Sequence, residues 1–288
     1  MSINKAVQQI MIGSVCGSEE KALATLKAIK SAGYDSIELN GFMIKPTGFL
    51  VRALTKMAGM PTGSCGKFDW HKLTKESGLF VCSVHEDLGS IERDVNAVIE
   101  EAKSFNTDKV VITGMYRFAY SDREEVKKLA QRLNTSGEKL KENGISLLYH
   151  NHNVEFQSFA GGEHGYLMNC PYSILVNETN PEFVNFEFDS YWTNDSGVNP
   201  LDVMKLLGNR MKLYHVTDRG NRSQKPAMTP IIKNDSVELG LGNMNIEELI
   251  KIAIDNGAES VILETHKNWI DKNPIKSIEV SGEYLKRF

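Results

Sequence analysis

The run Phe186-Glu187-Phe188-Asp189-Ser190-Tyr191-Trp192 is apolar until it stops on an acid and a tryptophan. It reads as a buried strand with the Asp189 carboxylate at its lip. Three other runs end in the same way: Leu147-Leu148-Tyr149-His150-Asn151-His152 with Glu155 just beyond, Leu213-Tyr214-His215, and Val261-Ile262-Leu263-Glu264. Four apolar strands that each finish in a metal-type ligand converge on one point only if they are parallel and share a carboxyl-end face. That is the geometry of a closed (β/α)8 barrel of the α/β class.

Working outward, the chain alternates in the same rhythm. Val7 to Val15 suits a first strand, followed by a helix that Ser18 caps and Glu19 and Glu20 begin, closing near Gly33. Ser36–Asn40, Leu79–His85 and Lys109–Gly114 read as strands two to four, and Ile145–His150 as strand five. The long helical segment from Arg123 ends on Glu142-Asn143-Gly144, where glycine accepts the left-handed backbone of a helix stop. Pro171–Glu178 reads as a helix before strand six, Met211–Val216 is strand seven, and Ser260–Glu264 is strand eight. Between the last two, Thr217 to Asn245 reads as a long polar connection. Leu50–Met57 and Phe68–Lys75 look helical, either as an insertion over one barrel mouth or as a two-piece connecting helix. The expectation is one barrel domain over residues 1–288, because a glycine-rich phosphate fingerprint of an open doubly wound sheet is missing after strand one.

The net charge is −4 at pH 7, and the acids and bases are interspersed. Nucleic acid is therefore a poor default partner. Cys16, Cys65, Cys82 and Cys170 are far apart and form no Cys-x-x-Cys pair, which fits free thiols in a reducing cytosol better than a disulfide framework. No stretch approaches the roughly 20 apolar residues of a membrane helix. A cytoplasmic protein with a small-molecule partner is expected; the oligomeric state stays open, a homo-oligomer included.

Asp189 and Glu264, His215, and a further group from the strand-five segment would make a mostly oxygen, partly nitrogen site. Such a site suits one Mn²⁺, Co²⁺, Mg²⁺ or Zn²⁺ ion. Taken singly, a strand-end acid is more often a helix cap or half of a salt bridge. Four at successive strand ends are harder to explain in that way. His150 and His152 face the same way on a strand, and a carbonyl-bonded core pair is their bland reading.

Tyr149-His150-Asn151-His152-Asn153-Val154-Glu155-Phe156, Phe188-Asp189-Ser190-Tyr191-Trp192, Leu213-Tyr214-His215-Val216-Thr217-Asp218 and Leu263-Glu264-Thr265 resemble the xylose isomerase-like barrel superfamily. More narrowly they resemble its sugar phosphate isomerase/epimerase branch, which shares the fold of endonuclease IV. The resemblance implies a metal held by a strand-five carboxylate, Asp189, His215 and Glu264. It departs at the first ligand, since His150-Asn151 stands where many members carry Glu-Asn. Glu155 is then the preferred metal ligand, because it supplies the missing acid and leaves His152 as a base; His150 is the alternative. Glu38, His85, His150, Trp192 and Arg219 are implied near substrate, with caps, packing or solvated salt bridges as their bland readings.

A divalent ion chelating a hydroxyl and a neighbouring carbonyl would stabilise an enediolate while an acid/base group moves the proton between them. Glu155 with Glu264, or His152 with Glu264, would serve as that catalytic pair. The expectation is therefore a metal-dependent sugar isomerase or epimerase. A keto-sugar lyase or dehydratase on the same apparatus, an endonuclease IV-like phosphodiesterase, and a non-catalytic sugar-binding barrel are the rivals. Against the nuclease, Trp192 stands three residues after Asp189, where the resemblance would require a histidine for a three-zinc site.

Overall fold

The computed structural model describes residues 3–46, 65–161, 167–222 and 228–288. Its strands are β1 (Asn4–Gln8), β2 (Ser36–Asn40), β3 (Phe80–Glu86), β4 (Lys109–Thr113), β5 (Ser146–His150), β6 (Val184–Asp189), β7 (Met211–Val216), β8 (Asp218–Gly220), β9 (Asp235–Val237) and β10 (Ser260–Leu263). Eight of them close a barrel in the order β1-β10-β7-β6-β5-β4-β3-β2, while β8 and β9 form a separate two-stranded ribbon. The expected (β/α)8 barrel is therefore present, with strand boundaries within a residue or two of those read from the sequence, except at β1. No helix among the described residues is long and apolar enough to cross a membrane. By packing, the chain divides into two compact units, Met1–Val81 with Val216–Ile250 and Val261–Phe288, and Cys82–His215 with Lys251–Ser260.

In the first unit, β1 and β2 pair in parallel with Ala6 opposite Ser36. The helix Glu19–Ser31 starts on Ser18, whose side chain accepts from Lys21 N at 3.3 Å, and it buries Ala22, Leu26 and Ile29. The first strand is shorter than expected. It stops at Gln8, and Gln9–Ile12 turn into a 3₁₀ helix. The reason lies in two amide side chains: Gln8 Nε2 donates to Asn40 Oδ1 at 3.1 Å, and Asn40 N donates to Gln9 Oε1 at 2.8 Å. Side-chain amides thus take over the ladder where the backbone bends away.

The expected Phe68–Lys75 helix lies at Trp70–Ser77, capped by Asp69 and stopped by Gly78 at φ 74°; Leu50–Met57 lies outside the described residues. The described residues of the polar connection after β7 are more ordered than its composition implied. Asp218, fully buried, accepts from four backbone N–H groups, those of Arg219 (2.8 Å), Gly240 (3.0 Å), Gly242 (3.0 Å) and Met244 (3.1 Å). One carboxylate gathers the loop, and the β8–β9 ribbon forms beside it.

In the second unit, the strands from β3 to β7 run parallel. The helix Arg123–Lys141 begins on an Asp122 cap and buries Val126, Leu129, Ala130, Leu133 and Leu140. Each large apolar side chain on that face contributes about 1.5–3 kcal/mol. Gly137 lets this helix approach closely: a Cβ there would lie 2.3 Å from the Phe183 carbonyl oxygen. Arg210 ties the segment before β6 in place, donating to Val176 O (2.6 Å), Thr179 Oγ1 (2.7 Å) and Val184 O (3.0 Å).

Candidate metal centre

Strand register assembles the centre in the second unit. His150 stands opposite Thr113 of β4 and opposite Glu187 of β6, and Asp189 stands opposite His215 of β7. Because side chains alternate along a strand, Glu187 and Asp189 share one face of β6. Glu187 Oε2 is met by His85 Nε2 at 3.0 Å, His150 Nδ1 at 3.1 Å and His215 Nε2 at 3.2 Å. The other nitrogen of His215, Nδ1, lies 3.9 Å from Asp189 Oδ2. His85 Nδ1 pairs with Thr113 Oγ1 at 2.8 Å. The rings crowd: His150 and His215 sit 4.6 Å apart between centroids, and His150 and His152 sit 5.0 Å apart.

Glu187 is fully buried. Burial pushes its carboxyl up, but the imidazoles of His215, His85 and His150 together outweigh that and hold it well below the usual carboxylate range. Although three nitrogens stand at hydrogen-bonding distance, the ring N–H directions miss the line, and neither Glu187 oxygen nor His150 Nδ1 has an aligned hydrogen bond. A buried carboxylate so placed needs compensating positive charge nearby.

Donor atoms of His150, Asp189 and His215 lie within 4.8 Å of one another, and so do those of His85, Glu187 and His215. Imidazole nitrogen and carboxylate oxygen without sulfur is a donor chemistry that fits Zn²⁺, Mn²⁺ or Co²⁺.

The scaffold around Asp189 is fully bonded. Asn151 Nδ2 donates to the Asp189 carbonyl at 3.1 Å while Asp189 N donates to Asn151 Oδ1 at 3.0 Å. Thr193 Oγ1 donates to the same carbonyl at 2.7 Å, and Trp192 N donates to Asp189 Oδ1 at 2.8 Å. Asp189 is thus a helix cap through Oδ1 for Ser190–Asp195 and faces His215 through Oδ2.

Glu155 is not among the donors grouped there. It is fully buried on the 3₁₀ turn Val154–Phe156. Its Oε1 accepts from Tyr149 Oη at 2.8 Å, and its Oε2 accepts from His152 N at 2.9 Å. Tyr149 Oη lies 2.7 Å from Tyr120 Oη, which accepts from Met115 N at 2.7 Å. Burial pushes the Glu155 carboxyl up, against the pull of Tyr149 and the backbone N–H groups. Both oxygens of the acid favoured from the sequence as a metal ligand are therefore engaged elsewhere, and the strand-five residue grouped with Asp189 and His215 is His150.

His152 is half-buried, and its ring lies 5.7 Å from that of half-buried Trp192. In the first unit, Glu38 is fully buried in β2, and Arg219 is half-buried on β8. Glu264 is buried just past β10, where its N–H donates to Val216 O at 3.3 Å and its Oε2 lies 3.4 Å from His266 Nε2. Sequence reasoning missed a role for Glu187. The signal was an acid between Phe186 and Phe188, two residues before Asp189 and so on the same face.

A family model described as xylose isomerase-like TIM barrel matches residues 26–288. An inosose dehydratase of Clostridium perfringens is 28% identical over 173 residues, 57% of this chain and 54% of that protein, so the chain matches about half the length of this relative. An inosose dehydratase of Clostridium botulinum is 22% identical over 287 residues, 94% of this chain and 90% of that protein. Among solved structures, a sugar phosphate isomerase/epimerase of Parabacteroides distasonis superposes with a TM-score of 0.76 at 20% identity, covering 99% of this chain and 93% of that one.

Proposed function

Because the chain belongs to the xylose isomerase-like TIM barrel family, we propose that it is a divalent-metal-dependent enzyme that moves a proton next to the carbonyl of a small carbohydrate, as an isomerase or epimerase. The ligands are His150, Asp189, His215 and Glu264, each of which offers one donor atom. The observation that carries this reading is His215, whose Nδ1 faces Asp189 Oδ2 at 3.9 Å beside buried His150. Glu264 is the fourth ligand that the family resemblance implies.

A cation in this position supplies electrophilic stabilisation of the negative charge that develops on two neighbouring substrate oxygens. The chain's residues do the rest. Glu155, whose carboxyl burial pushes up, is the group that exchanges a proton with a substrate carbon or oxygen. Tyr149 and Tyr120 orient it from behind. His152 and Glu264 are the other acid/base groups. Trp192 presents an aromatic face to a sugar ring, and Glu38, His85 and Arg219 bind its hydroxyl or anionic groups.

A second reading is favoured by the names of the relatives: proton removal followed by loss of a β-hydroxyl as water, a dehydratase reaction. The C–H electron pair becomes the new double bond, and the hydroxyl leaves with a proton from the general acid. Solvent deuterium exchange next to the carbonyl of keto and aldo sugars, measured with Mn²⁺ added, tests the shared step. Exchange is expected with the wild type and is lost in Glu264→Gln; no exchange with any such substrate overturns the proposal. Release of water from an inosose without isomerisation selects the dehydratase. Metal content near one ion per chain, rather than three, sets aside the nuclease.

A further inference from the structure

His215 divides its two ring nitrogens between two carboxylates of one strand: Nε2 lies 3.2 Å from Glu187 Oε2, and Nδ1 lies 3.9 Å from Asp189 Oδ2. Residues two apart on a strand are spaced by about 6.6 Å, so one imidazole on the neighbouring strand reaches both. His150 presents Nδ1, not Nε2, to the same Glu187 oxygen, at 3.1 Å. A neutral imidazole carries one N–H and one lone pair. The nitrogen nearer a buried carboxylate takes the N–H, which in His215 is Nε2 at 3.2 Å and not Nδ1 at 3.9 Å, and the opposite nitrogen is left as the lone-pair donor.

We propose that Glu187 is a positioning residue that sets His150 and His215 in opposite tautomers, Nδ1–H in His150 and Nε2–H in His215. His150 Nε2 and His215 Nδ1 are then the metal donors. This rests on the metal-centre reading above and deepens it. His85 is the third ring on Glu187 Oε2, at 3.0 Å, and Thr113 Oγ1 on its far nitrogen is both donor and acceptor. His85 therefore adapts to either tautomer, whereas His150 and His215 do not. Both Glu187 oxygens are fully buried without an aligned hydrogen bond, so a modest ring rotation that brings the N–H groups into line is expected when a cation draws on the opposite nitrogens.

The test uses the full chain labelled with ¹⁵N-histidine and loaded with Zn²⁺, which is diamagnetic. Long-range ¹H–¹⁵N correlation spectra should show Nδ1–H for His150 and Nε2–H for His215, assigned with His150→Asn and His215→Asn. The same tautomer at both positions overturns the proposal. The metal-free protein should show the same pair, so the inference stays testable even if Zn²⁺ does not bind; failure to bind would count against the metal-centre reading instead. Glu187→Gln should weaken Zn²⁺ binding about 10–100-fold with ions per chain unchanged, and Glu187→Asp should recover part of the loss. Unchanged affinity in Glu187→Gln, or the loss of one whole ion per chain, overturns the positioning role.

Discussion

Asn151 and Asp189 exchange two hydrogen bonds between the ends of neighbouring strands, side-chain amide to backbone in both directions, at 3.0 and 3.1 Å. The residue after the last one in β5 thereby fixes the height of the acid that ends β6. Asn151→Ala leaves the buried Asp189 N–H without its acceptor and should cost about 1–3 kcal/mol of stability. Urea unfolding reads it directly. A transition midpoint equal to that of the wild type would show that the pair contributes nothing.

Glu155 should give the protein a recognisable pH dependence. Its carboxyl is raised in the folded state, chiefly by burial, so the folded chain holds this proton more tightly than the unfolded chain. The resulting stability is fully present below the unfolded pKa of about 4.3 and is lost as pH rises through the raised folded value. Glu155→Gln removes the dependence. Unfolding free energies of the two proteins, measured with chelator present across that window, should diverge in favour of the variant as pH rises; a constant difference would refute the assignment.

Gly114 abuts the same acid. A Cβ at this position would lie 2.7 Å from Glu155 Oε1 and 3.2 Å from Tyr120 Oη, and both groups are buried and bonded. Gly114→Ala must push the carboxylate off Tyr149 or move the strand end, at a cost of about 1–3 kcal/mol. Proton exchange into substrate should fall along with stability, while metal content stays the same, because the proposed donors do not include Glu155. Loss of the metal together with exchange would instead place Glu155 in the coordination sphere.

Asp189, His215 and Glu264 stand out in the sequence because each ends an apolar run, and a polar residue at such a stop contrasts with its flanks. The same contrast located most strand ends to within a residue or two. It failed at β1, where Gln8 and Gln9 interrupt an apolar run and bond to Asn40 instead of continuing the ladder. It failed again after β7, where a polar composition concealed an ordered ribbon gathered by Asp218. Glu187 escaped because flanking phenylalanines make a strand interior look uniformly apolar, and nothing local says that three histidines from other strands surround it.

The residue types at the strand ends, and with them the parallel barrel and the mixed nitrogen–oxygen donor chemistry, were determined by the amino-acid order alone, since alternation and run length are local properties. Which strand-five residue joins Asp189 and His215, and which ring nitrogen each histidine turns toward a carboxylate, was decided only by tertiary structure. Those outcomes depend on the register between β5, β6 and β7, where a shift of one residue exchanges the faces of a strand. Glu155, six residues beyond Tyr149, is drawn to that hydroxyl by the turn at Val154–Phe156, and His150 is left facing Glu187.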